Sequence, residues 1–232
     1  MGLGTLLSQA LKELENVSDK LLRKDGAEEA GDTILVCSIA AAASGIGSGM
    51  LPGAGSVVAS IACVTAIWTM YVKINKHLGI SVKDNILKSL ASAILTNIIA
   101  SAGSYILVLI GAVAISFIPG IGYASTIIYG TLAFISVYAS GILYIKILTR
   151  VMRAKKTLDL TDVNMEDIAK DVVNESNVSD LLKEGKEVFK QTKNNGKFDK
   201  ILKDYEDVKC PHCSNIIAKD SEICYVCGMS IK

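Results

Sequence analysis

Two long stretches without a charged residue, a proline-glycine break inside each, and two Cys-x-x-Cys pairs near the end predict a mainly α fold. It consists of membrane-embedded helical hairpins, about four hydrophobic helices in all, a cytoplasmic helical arm and a small C-terminal zinc ribbon. Charged residues make up 20% of the 232 positions, yet none falls from Thr33 to Val72 or from Ser89 to Ile145. A helix in water needs a solvated face, so uncharged runs of this length point to lipid as their solvent. The charge map divides the chain into a polar N-terminal zone at 1–31, a hydrophobic membrane domain at 32–146, a charged helical arm at 147–209 and the ribbon at 210–232.

In the first zone Leu3, Leu7, Leu11, Leu14, Val17 and Leu21 recur at helical spacing and predict an amphipathic helix ending near Gly26. Its apolar stripe suits an interfacial helix, a coiled-coil contact or a helix packed on its own protein. The first uncharged run is split by Gly49-Met50-Leu51-Pro52-Gly53-Ala54-Gly55, which stops one helix and starts another. The arm before this break, Thr33 to Gly49, is rich in Ala, Ser and Gly and would insert poorly alone. Ala40, Ser44 and Ser48 give it a small face for a close partner helix.

A basic link follows, with Lys73, Lys76, Lys83 and Lys88 against the single acid Asp84. The second uncharged run is split by Phe117-Ile118-Pro119-Gly120-Ile121-Gly122 and predicts a second hairpin. Its first arm, Ser89 to Phe117, would be about 43 Å long, more than the roughly 30 Å of a hydrocarbon core. Val82, Ile86, Leu87, Leu90 and Ile94 share one helical face, so this arm is expected to start as an amphipathic helix on the membrane surface. The two breaks align at an offset of 67 positions and suggest an internal repeat.

Lys146, Arg150, Arg153, Lys155 and Lys156 follow the second hairpin, while neither Pro-Gly break carries a charge. The positive-inside rule therefore places the link and both termini in the cytoplasm, with Trp68, Tyr71 and Tyr144 near the basic ends as an aromatic belt. It does not separate full crossing from a partial wedge. Beyond 147 the sequence predicts charged surface helices at Leu158–Val173, Val178–Lys193 and Phe198–Asp207, with Asn194-Asn195-Gly196 as a break.

Cys210-Pro211-His212-Cys213, ten residues, then Cys224-Tyr225-Val226-Cys227-Gly228 closes the chain. Two cysteines separated by two residues reach one ion through a tight knuckle, and two knuckles complete a tetrahedral shell, so Cys210, Cys213, Cys224 and Cys227 are the expected ligands of one structural Zn2+. So small a module buries little apolar surface, and the metal supplies most of its folding energy. The stretch from Cys210 to Gly228 resembles the short zinc ribbons found at the ends of many prokaryotic membrane and regulatory proteins.

The first Pro-Gly break, the stretch Met70-Tyr71-Val72-Lys73-Ile74 leading to Leu78-Gly79-Ile80, and Phe117 to Gly122 are similar to motifs of a hydrophobic domain of unknown function. That domain occurs in bacterial inner-membrane proteins and behind Era-like GTPase domains, and the resemblance covers Leu51 to Leu143. It implies membrane association and, in some members, partnership with a GTPase. No Gly-x4-Gly-Lys-Ser/Thr motif occurs in the chain, so such a partner would act in trans.

Net charge is +1 and the lysines alternate with acids, which removes the electrostatic footprint of a nucleic-acid binder. No catalytic residues are nominated: His77 and His212 are the only histidines and neither has a nucleophile or carboxylate partner by sequence. The expected function is a non-enzymatic membrane anchor for a cytoplasmic zinc ribbon that binds an unknown protein. The alternative is a homo-oligomer whose hairpins form a pore or bend the bilayer.

Overall fold

The computed structural model describes residues 4–18, 25–48, 55–101, 122–155, 157, 159–160, 165–206, 210–212 and 229–231. Both Pro-Gly breaks lie outside these residues, apart from Gly55 and Gly122, which open helices. The described residues are mainly α, with no β-strand; an isolated bridge pairs Ser81 with Asp159.

The first helix, α1 (Thr5–Ser18), buries Leu7, Ala10, Leu11 and Leu14. Of the three partners open to this stripe, the one it meets is its own protein: it packs on α2 (Gly26–Ser48) and α5 (Gly122–Lys155). Helix α2 begins several residues before the uncharged run, and Glu28 and Glu29 fill its first turn, where carboxylates favour the exposed N–H groups. Charge marks where a solvent ends, whereas capping marks where a helix ends.

Helix α3 (Gly55–Leu78) continues through Lys73 and Lys76, and α4 (Asp84–Ser101) begins before Lys88, so the basic link is mostly helix end. Gly79, at φ 70°, reverses the chain after α3. Its N–H donates to Lys76 O at 3.4 Å and the Ile80 N–H to Asn75 O at 2.9 Å, a glycine-terminated helix end that satisfies two orphan carbonyls. The apolar face of α4 is present as expected, with Leu87, Leu90 and Ile94 buried. It packs against α3, α5 and α6 (Met165–Glu175), so this face is spent on protein contacts and does not lie free for a membrane surface.

Helix α5 is the hub. It touches α1, α2, α3, α4, α6 and α7 (Val178–Asn194). Among the described residues one stretch, Gly130–Lys155, is long and apolar enough to cross a membrane, with a hydropathy of 1.7; 83% of its most apolar window is buried inside the protein. The boundary expected at 146/147 falls within this helix.

Residues 165–206 are no free arm. Met165, Ala169, Val172 and Val173 of α6 are buried, as are Leu181, Val188 and Phe189 of α7 and Phe198 of α8 (Lys197–Glu206). Asn177 caps α7, accepting from the Asp180 N–H at 3.4 Å, and Gly196 at φ 71° separates α7 from α8 at the expected break. The helix expected from Leu158 instead starts at Met165, and the Leu160 N–H pairs with Ser81 O at 2.8 Å. Apolar stripes that are sparse per helix suffice here because α5 offers a continuous apolar partner.

Buried hydroxyls in this core bond backward along their own helices: Ser38 to Ile34 O, Ser136 to Leu132 O, Thr149 to Ile145 O and Thr192 to Val188 O. Each satisfies its donor within its own helix, which lets polar residues sit in apolar helices.

Candidate zinc ribbon and charged bundle end

Cys210 is buried, and Pro211-His212 form a turn after it. The His212 N–H donates to Cys210 Sγ at 3.4 Å, and His212 Nε2 lies 3.2 Å from Ser230 O near the end of the chain. A backbone N–H aimed back at the first sulfur of a Cys-x-x-Cys turn stabilises the thiolate, the form that ligates metal. Cys213, Cys224 and Cys227 lie outside the described residues. The turn at Cys210 and the all-cysteine donor set fit zinc, which would hold the ribbon closed when bound. His212 is engaged with the backbone of Ser230, which ties the first knuckle to the last residues.

The second assembly is the end of the helix bundle where charge collects. Glu29 near the start of α2 meets His77 near the end of α3 at 3.0 Å, so these helices run antiparallel with their polar ends together. Tyr71 of α3 stacks on Tyr144 of α5 with ring centroids 3.9 Å apart; its hydroxyl reaches back to Ser140 O while the Tyr144 hydroxyl donates to Asn75 Oδ1 at 2.7 Å, so α3 and α5 run parallel. Arg150 pairs with Glu175 at 2.7 Å on the exposed surface. That hydrogen bond, and the charge of Glu175, push the guanidinium pKa still higher.

Trp68 keeps one edge at the surface, as a belt residue would: its indole N–H donates to Asp84 Oδ1 at 2.9 Å and Lys88 Nζ sits 4.5 Å from the ring centroid. Tyr71 and Tyr144 do not join it. Both are fully buried, because their rings fill the α3–α5 contact and their hydroxyls find partners there: Tyr71 donates to Ser140 O at 3.3 Å. Thr96 and Asn97 bond to Ser92 O and Ala93 O of their own helix.

Sequence reasoning missed a third cluster. Glu184 on α7 accepts from the Leu6 and Leu7 N–H groups at 2.6 and 3.1 Å, and the Tyr138 hydroxyl donates to Glu184 Oε1 at 3.2 Å while accepting from the Gly4 N–H. A lone glutamate on a charged helix gives no signal of such a role. Among the described residues no group of three His, Cys, Asp or Glu side chains gathers at one point.

No family model, curated protein or solved structure matches the chain. The likeness of residues 51–143 to the hydrophobic domain rests on the motifs quoted above.

Proposed function

We propose that the chain is a non-enzymatic membrane-anchored scaffold. The uncharged ends of its hairpins enter the bilayer and its charged helical base stays on the cytoplasmic face. There the ribbon, held by one structural zinc ion on Cys210, Cys213, Cys224 and Cys227, binds a protein partner. A GTPase acting in trans is the partner class the resemblance implies.

The sorting of charge along the bundle carries this reading. Glu28, Glu29 and Asp32 lie near the start of α2; Lys73, Lys76 and His77 near the end of α3; Asp84 and Lys88 at the start of α4; Lys146, Arg150, Arg153 and Lys155 at the end of α5. The Glu29–His77 and Tyr71–Tyr144 contacts bring the ends of α2, α3 and α5 to one side, and the sequence at their other ends is uncharged. Water is the natural solvent for one end and hydrocarbon for the other, and the basic excess assigns the wet end to the cytoplasm.

Carbonate extraction of membranes from cells expressing the full chain is the direct test; release into the soluble fraction would remove the anchor. Loss of partner recovery in the Cys210→Ser/Cys213→Ser chain, with membrane retention unchanged, would support the role of the ribbon. Rapid, concentration-dependent dye release from liposomes would replace the passive anchor with the pore-forming alternative.

A further inference from the structure

Building on the membrane reading above, we infer that the elbow between α7 and α8 is a docking surface for anionic phospholipid headgroups, with Lys186, Lys190, Lys193, Lys197 and Lys200 as its contacts. On α7 the first three recur at spacings of four and three residues, so they share one helical face, and that face is exposed. The other side of the helix is spent on the core through Leu181, Gly185, Val188 and Phe189. Lys197 and Lys200 carry the stripe onto the start of α8. From 186 to 200 these five lysines face two acids, Glu187 and Asp199. Lys190 has Glu187 at 3.7 Å, and the other four lysines form no ion pair among the described residues. Glu184, the next acid along α7, is turned onto the start of α1.

The elbow is a shaped turn. The Asn195 N–H donates to Gln191 O at 3.0 Å, the Gly196 N–H to Lys193 O at 3.3 Å and the Lys197 N–H to Asn195 Oδ1 at 3.0 Å. Phe189 and Phe198 meet edge to face at 5.8 Å and tie the two helices together. The backbone that carries the lysines is therefore already ordered, which lowers the entropic cost of binding.

Its place in the bundle names the occupant. Helix α7 runs antiparallel to α5 through Lys146–Ser176, Tyr138–Glu184 and Phe134–Phe189. The same register sets Lys193 level with Gly130, so α7 climbs from the basic end of α5 towards the end that carries no charge. Counting along α4 from the Trp68–Asp84 contact sets the exposed Ser92 and Thr96 within about a turn of that level, so the bundle surface is polar there too. Ammonium groups do not settle in hydrocarbon, and the sequence from Ser89 to Ile145 is uncharged, so the headgroup layer lies at the elbow. This placement holds whether the hairpins cross the bilayer or wedge into it. The basic excess puts α7 on the cytoplasmic side, against the leaflet that carries anionic lipid, and each lysine near such a surface favours contact by about fivefold.

The test uses the full chain with Trp68→Phe and Asn194→Trp, which leaves one indole, at the elbow. The protein is reconstituted into vesicles of phosphatidylcholine and phosphatidylglycerol at one fixed ratio, with bromine just below the headgroup of either the neutral or the anionic lipid. The expected result is stronger quenching by the brominated anionic lipid, equivalent to a roughly fivefold enrichment beside the elbow, that fades in about 1 M salt, where charges are screened within about 3 Å. Lys190→Gln, Lys193→Gln, Lys197→Gln and Lys200→Gln together should abolish the preference, and Arg at the same four positions should keep it. Equal quenching by the two lipids overturns the inference and makes an acidic protein the occupant to seek. A preference that survives the four Gln changes also overturns it. Quenching by neither lipid, with the chain still resistant to carbonate, does the same, because the elbow then stands clear of the membrane. Recovery of the chain in the soluble fraction would instead end the membrane reading itself. The salt titration is made on the chain with all its lysines, so it decides the matter even where the Gln variant fails to fold.

Discussion

The carboxylate of Glu184 and the hydroxyl of Tyr138 meet at 3.2 Å, and through this pair α7 and α5 together close the first turn of α1. The Leu6 and Leu7 N–H groups would otherwise be orphan donors at the helix start, and a carboxylate there also favours the helix dipole. Glu184→Ala is expected to lower stability by about 2 kcal/mol, with Glu184→Gln costing less because one amide oxygen can still accept. Denaturant unfolding of the detergent-solubilised chain measures this.

Tyr144 and Asn75 form a buried pair at 2.7 Å, and the Asn75 amide nitrogen has no hydrogen-bond partner among the described residues. Tyr144→Phe should cost about 1–2 kcal/mol by stranding the Asn75 oxygen as well. Adding Asn75→Leu removes the stranded amide, so the double variant is expected to be more stable than Tyr144→Phe alone. A double-mutant cycle on unfolding midpoints decides it, and additive losses would contradict the pairing.

Ser140 supplies the contrast. Its backbone oxygen accepts from Tyr71, while its buried Oγ has no hydrogen-bond partner among the described residues. Ser140→Ala should therefore be neutral or stabilising, by up to about 1 kcal/mol. A clear loss in the same unfolding assay would mean the hydroxyl does have a role.

Gly141 is a point of close approach between α2 and α5: a Cβ there would lie 2.8 Å from two carbons of Ile34. Gly141→Val should cost about 1–3 kcal/mol through overpacking, and Ile34→Ala in the same chain should return part of it. Gly185 has ordinary clearance for one methyl group, so Gly185→Ala is expected to change the midpoint little.

The purified chain is expected to carry one zinc per molecule, lost on Cys210→Ser or after strong chelation, as read by elemental analysis. Far-UV circular dichroism should keep nearly all of its helical signal, because the helices owe their packing to the apolar core around α5. A large helical loss on chelation would show that the metal holds more than the ribbon.

The helices themselves were largely legible in the sequence. Charge-free runs and Pro-Gly breaks located α2 to α5, and the Asn194-Asn195-Gly196 break located the end of α7, because periodicity, turn chemistry and charge are local properties. What covers what was not legible. The stripe of α1 and the apolar face of α4 read equally well as membrane-surface helices, and only tertiary packing assigns both to the protein interior. Tyr144 sits two residues before Lys146, which suits an aromatic belt, yet its ring is paired with Tyr71 across the sequence. Of the candidate zinc ligands, Cys210 is buried just before a turn at Pro211-His212, and Cys213, Cys224 and Cys227 lie outside the described residues.

The hub position of α5 also imposes a timetable on synthesis. Its cover on one side is α7, which ends at Asn194, some way after α5 ends at Lys155. At roughly 5–20 residues per second the ribosome needs several seconds to make that segment and release it from the exit tunnel. During that interval a long apolar helix is complete but lacks the amphipathic helix that later packs along it. The nascent protein therefore depends on prompt delivery to a membrane or on a chaperone that holds α5 until its own C-terminal half arrives.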